Sequence, residues 1–164
     1  MTPRPTRRGE DRRLARSAAR LAAVQALFQM EATGADWRAV REEFETHRLG
    51  AVIAGDEYRD ADAVLFAALL EGAVNRQAQI DQATDAALKE TWPIARIDPT
   101  LRALFRAAGA ELFDRDDTPP KVVISEFVDV AKAFFPGGKE PGMVNAVLDR
   151  LARQARPDAF TPEG

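Results

Sequence analysis

The stretch Lys121-Val-Val-Ile-Ser-Glu-Phe-Val-Asp-Val-Ala-Lys-Ala-Phe-Phe135, a Pro/Gly loop, and Met143-Val-Asn-Ala-Val-Leu-Asp-Arg-Leu-Ala152 decide the fold. Ile124, Phe127, Val128, Ala131 and Phe135 stand at i, i+3, i+4, i+7 and i+11, a wide apolar stripe on one side of a helix. Pro119 and Pro120 suit the first turn of that helix, where a missing N–H costs little, and Pro136, Gly137 and Gly138 stop it. Met143, Val144, Val147, Leu148 and Leu151 make a second stripe and leave Asn145, Asp149 and Arg150 on its border. Two amphipathic helices joined by a short loop form a hairpin, and a hairpin needs further helices to cover its apolar side.

Upstream, the same periodicity supplies them. Asp98-Pro99 reads as an N-cap followed by proline at the first helical position, and Leu101, Leu104, Phe105, Ala108 and Leu112 give the stripe that follows. Asp114 to Pro120 is an acidic turn. From Ala61 to Leu88 runs a long helical pattern through Phe66, Leu69, Ala73, Ile80 and Ala87, with Gly72 marking close packing and a break at Asn75 to Gln79. Arg48 to Asp60 is a connection. Asp36 caps a short helix to Glu45 with Trp37, Val40 and Phe44 inward, and a first helix is expected from Asp11 to Ala32, stopped by Gly34. The expected fold is all-α: a compact bundle of six or seven helices. Residues 1–10 read as a disordered basic arm, 11–155 as one helical domain divided near 92–98, and 156–164 as a frayed tail.

Composition bounds the chemistry. The 164 residues suffice for one domain with a sizeable core. There is no cysteine, which removes disulfides and thiolate chemistry and suits a reducing cytoplasm. No apolar run approaches the roughly 20 residues of a membrane span, and charges interrupt the N-terminus where a signal core would lie. A soluble, cytoplasmic protein is expected.

The net charge of −3 conceals an asymmetry. Residues 1–20 hold seven arginines against Glu10 and Asp11, a net of +5, so the remaining 144 carry 16 basic and 24 acidic groups, a net of −8. A basic arm on an acidic body is a common footprint of nucleic-acid contact.

Catalytic groupings are missing from the sequence. The only histidine, His47, ends a short helix, and with no cysteine beside it a zinc or haem site has almost no ligands. Glu42, Glu43 and Glu45, like Asp81 and Asp85, read as solvated helix faces. Phe135-Pro-Gly-Gly-Lys-Glu140 fails as a phosphate loop, because Ala133 and Glu140 stand where a Walker motif needs glycine and a hydroxyl. Ser125 has no histidine near it in the motif. No enzyme, cofactor or metal is expected.

Binding groups are better supplied. At about 100° per residue, Arg12, Arg13, Arg16 and Arg20 fall within an arc of roughly 100°, and guanidinium forks match phosphate oxygens. Gln25 offers an amide, either to a base edge or to a neighbouring helix. Lys121, Lys139, Phe135 and Met143 gather around the last loop; the lysines supply charge, and the two apolar residues are either an RNA platform or core. Lys139, among Gly137, Gly138 and Gly142, is either a mobile phosphate contact or a solvated loop residue.

The wording of three blocks resembles the NusB family (N-utilization substance B). Ile124 to Lys132 followed by Met143 to Asp149 resembles its C-terminal signature. Arg16-Ser-Ala-Ala-Arg20 followed by Ala23-Val-Gln-Ala-Leu-Phe28 is similar to its arginine-rich first helix, and Leu104 to Leu112 to its middle segment. The departures are Ser17 and Ala18 where many members carry arginine, Ala110 for a tyrosine, Met143 for a phenylalanine, and a long Leu49–Asp60 connection. Members often have an acidic or neutral residue near Lys139. The resemblance implies two three-helix subdomains. It also implies binding of boxA-type RNA together with ribosomal protein S10, within an antitermination complex on RNA polymerase that serves ribosomal RNA operons. Some members are homodimers. An apolar patch with Phe28 and Leu101 would then hold S10. The rival readings are an RNA-binding domain of the kind found in ribosomal RNA cytosine methyltransferases, and a helical adapter that binds no RNA.

Overall fold

The computed structural model describes residues 7–48, 62–88 and 96–160, and within them the chain is helical. The helices are α1 (Arg7–Thr33), α2 (Trp37–His47), α3 (Ala63–Asn75), α4 (Gln77–Ala87), α5 (Pro99–Asp114), α6 (Pro120–Phe134) and α7 (Glu140–Ala155), followed by a 3-10 turn at Pro157–Phe160. Local chemistry sets their ends. Gly34, at φ 73°, takes the left-handed turn that closes α1, its N–H reaching the Met30 carbonyl at 2.8 Å. Asp36, Asp62 and Asp98 cap α2, α3 and α5 by accepting from the N–H groups of Arg38, Leu65 and Thr100 at 3.3, 2.9 and 2.7 Å. The long pattern upstream of residue 88 does break, at Arg76, into α3 and α4.

Helices α1, α2 and α3 pack on one another, as do α5, α6 and α7, and α4 touches α3, α5 and α7. The two groups share one continuous core because α5 lies against both, contacting α1, α3, α4, α6 and α7. The stripe expected on α5 is therefore only part of its buried surface: Ala103, Ala107, Gly109 and Ala110 are covered as well. Small residues make such a central helix possible. A Cβ on Gly109 would stand 2.6 Å from Ile80 Cγ2 on α4, and one on Gly72 of α3 would stand 3.1 Å from the Ala110 Cβ. Larger side chains at either place would push neighbouring helices off α5. Burying each Leu or Phe of this core stabilises it by roughly 1.5–3 kcal/mol, and Phe44 and Phe66 stack across α2 and α3 with centroids 5.6 Å apart.

Several expectations change. Helix α1 starts at Arg7 rather than Asp11, so residues 7–10 continue it instead of belonging to a disordered arm. Helix α7 begins at Glu140, with Pro141 in its first turn, three residues ahead of Met143. Arg156 does not open a frayed tail: its guanidinium donates to the carbonyls of Glu111 and Leu112, both at 2.9 Å, and to those of Thr118 and Arg115. Those acceptors close the last turn of α5 and lead into α6. The expected 49–60 connection and Trp92-Pro93 lie outside the described residues. Among the described residues no helix is long and apolar enough to cross a membrane.

Candidate nucleic-acid interface

The basic turns of α1 divide in two. Arg12, Arg13 and Arg16 are exposed, and among the described residues none is ion-paired. Arg20 does not join them. It is 1 % exposed, and its Nε and Nη2 donate to both oxygens of Glu111 on α5 at 2.8 Å each. Its Nη1 also lies 3.6 Å from Glu126 on α6. Burial alone would lower its pKa, but the hydrogen bond to Glu111 and the charges of Glu111 and Glu126 raise it above the ordinary arginine value. The guanidinium is thus a permanent cation held in the core, and the expectation that it meets phosphate is withdrawn. One turn earlier, Ser17 donates to Glu126 at 2.9 Å and fastens the arginine-bearing part of α1 to α6.

A second surface runs along the outside of α1. Leu14 and Phe28 are 59 % and 41 % exposed, and Leu21 is half-buried. With Gln25, which is exposed rather than bonded to a neighbouring helix, they stand at i, i+7, i+11 and i+14. Phe28 is therefore available to a partner. Leu101 is not: at 4 % exposure it belongs to the core of α5, because its stripe faces inward.

Around the last loop, Lys121 and Lys139 are exposed, while Phe135 and Met143 are half-buried and packed against the core. Gly137 takes φ 75° there and turns the chain between α6 and α7. The core role of Phe135 and Met143 leaves only their outer edges for a ligand. Sequence reasoning missed Leu14 and Leu21, whose signal was present: α1 carries apolar residues on two faces, and one face suffices for packing. It also missed Glu111, which nothing local marks as the partner of Arg20. Among the described residues no group of three or more His, Cys, Asp or Glu could hold a metal ion.

Residues 17–153 match the sequence profile of the NusB family. The chain belongs to the NusB family. The match takes in Arg20, Glu111 and Glu126 and begins immediately after Arg16. The chain is 50 % identical over 158 residues to the transcription antitermination protein NusB of Rhodopseudomonas palustris (strain BisB18), covering 96 % of this chain and 93 % of that one. The protein of the same name from Maricaulis maris (strain MCS10) is 50 % identical over 151 residues, covering 92 % and 94 %. Among solved structures, T. maritima NusB superposes with a TM-score of 0.69 at 28 % identity, over 88 % of this chain and 96 % of that one. A crystal structure of antitermination factors NusB and NusE in complex with dsRNA matches with a TM-score of 0.70 at 23 % identity, over 85 % and 97 %, a likeness of fold. The NusB-type bundle seen here is built on the Arg20–Glu111 pair at its centre, with three exposed arginines on the turns before it.

Proposed function

We propose that this NusB-family protein is a transcription antitermination factor that binds boxA-type single-stranded RNA together with ribosomal protein S10, in support of ribosomal RNA transcription. The observation that carries the reading is the exposed row of Arg12, Arg13 and Arg16 on α1, cations with no ion-pair partner among the described residues, beside an acidic body. Single-stranded RNA is held by such cations along its phosphates. Membership of a family whose relatives are named for antitermination supplies the process. The fold neighbour solved with NusE, that is S10, and double-stranded RNA supports an RNA and S10 partnership in general. On this reading S10 sits on the outer stripe of α1, with Phe28 as an apolar anchor. The protein acts by binding alone, inside the cytoplasm and within a complex on RNA polymerase. Self-association over the same stripe would compete with S10.

The test is titration of a boxA-type strand at fixed salt with and without S10. Affinity should rise when S10 is present. Replacing Arg12 and Arg16 by alanine should lower affinity and reduce the log–log salt slope by about 0.7 for each phosphate that is no longer neutralised. Equal affinity with and without S10, and an unchanged slope in the folded double variant, would remove the reading.

A further inference from the structure

Between α6 and α7 runs an open groove of about 320 Å³, at the lower end of the size range of small-molecule sites. Ile124 and Val128 form its apolar floor. Its polar groups are in two states. The carboxylates are engaged, Asp129 with Lys132 at 3.9 Å and Asp149 with Arg153 at 3.0 Å. Lys121, Ser125 and Asn145 are exposed and have no hydrogen-bond or ion-pair partner among the described residues. They are spaced along the groove wall, Lys121 and Ser125 a turn apart on α6 and Asn145 opposite on α7.

We infer that this groove is a subsite for one unpaired nucleobase of the bound RNA, with Asn145 and Ser125 meeting the base edge and Lys121 holding an adjoining phosphate. The inference rests on the RNA-binding reading above and extends it. Charge decides between a base and a phosphate inside the groove. The lining carries two lysines and two carboxylates, so an anion gains little from its net charge, whereas a flat neutral ring can lie on Ile124 and Val128. Asparagine carries a donor and an acceptor side by side, the pattern that adenine presents at its N6 and N7 edge, and a serine hydroxyl can serve either role. Unstacked bases of single-stranded RNA expose those edges.

Position supports the same strand reaching both sites. Glu126 on the other flank of α6 accepts from Ser17, one residue past Arg16. Val122 lies only about 40° around α6 from Glu126, on the way to Lys121, and is 44 % exposed. A strand held by Arg12 and Arg16 can thus cross the outer face of α6 over the exposed Val122 and enter the groove.

The test pairs Asn145→Ala with boxA-type strands carrying one abasic nucleotide at each position in turn. The variant should fold with an unchanged melting curve, since Asn145 is exposed, and lose about tenfold in RNA affinity, the scale of one two-pronged base contact. Its salt slope should match the parent, whereas Lys121→Ala should reduce the slope by about 0.7. One abasic position should weaken the parent by a similar factor and cost Asn145→Ala nothing more. Parental affinity in Asn145→Ala, or losses that simply add at every abasic position, would overturn the subsite. So would a loss of S10 affinity with RNA affinity intact, which would make the groove a protein-binding surface. If Arg12→Ala and Arg16→Ala weaken RNA binding while Asn145→Ala does not, the subsite falls and the broader function stands. If the parent binds no boxA-type RNA, both fall together.

Discussion

Arg16 and Arg20 are one helical turn apart and share an azimuth on α1, yet one faces solvent and the other sits in the core. The difference lies in what stands opposite. Glu111, 91 residues away, presents two oxygens to Arg20, and Glu126 adds a third charge. Removing one partner of such a pair strands the other without water, a loss of about 3–5 kcal/mol. Arg20→Ala or Glu111→Ala should therefore lower chemical-denaturation stability by that much, while Arg16→Ala should change it by less than about 0.5 kcal/mol. Similar losses at 16 and 20 would contradict this division. Periodicity could place the arginines on one face but could not identify which of them met a carboxylate from a distant helix. The same limit applies to Leu101, whose exposure depended on how many helices surround α5. Lys139, by contrast, is exposed as its glycine-rich setting suggested. Reversing it with Lys139→Glu should weaken RNA binding more at low salt than at high salt, with thermal stability unaffected; indifference at low salt would leave it a solvated loop residue.

Arg156 acts on whole elements. Its guanidinium bonds four carbonyls, three in the closing turn of α5 and one at Thr118 before α6. A cation at a helix C-terminus also opposes the negative end of the dipole. Arg156→Ala should cost about 2–4 kcal/mol, since charged hydrogen bonds contribute about 1.5–3 each and do not add fully. Amide exchange should accelerate first in residues 112–123, and uniform acceleration across all helices would argue against a local clasp. Element positions were otherwise legible where the end signals are local: the Asp36 and Asp98 caps, Gly34, and the prolines at the start of α6. The early start of α7 was not, because Glu140-Pro-Gly142 carries turn residues that helix packing overrides.

Across the molecule, α1, α4 and α5 are clamped by ion pairs. Arg102 and Arg106 both reach Glu31, the latter at 3.1 Å, and Arg106 meets Asp81 at 2.8 Å. The hydrogen bond from Arg102, then the two positive charges acting against partial burial, hold Glu31 below its ordinary 4.5. A lowered carboxylate pKa means stability that is fully present above the unfolded value and lost as pH falls through the folded one. Glu31→Gln should therefore be slightly less stable at pH 7, by up to about 1 kcal/mol for so exposed a group. Its acid unfolding below pH 4.5 should also be shallower than the parent's. An unchanged acid limb would assign the loss to other carboxylates. The bundle class was plain in the sequence because each helix carries its own stripe. The common wall was not, since a helix buried on most of its faces still shows an amphipathic pattern when alanine and glycine fill the second buried face.

That wall has a consequence for how the protein is born. Helices α1, α3 and α4 emerge from the ribosome before the surface they pack on exists, because α5 follows all of them. Until residue 114 is clear, the apolar faces of Val24, Phe66, Leu69 and Ile80 lack the α5 surface that covers them in the finished fold. A nascent chain halted at residue 88 should thus be cut readily by protease, and one halted far enough beyond residue 155 should resist. Protection already complete at 88 would mean that the first helices make a core of their own. The long first half is a stretch of synthesis during which a chaperone has something to hold.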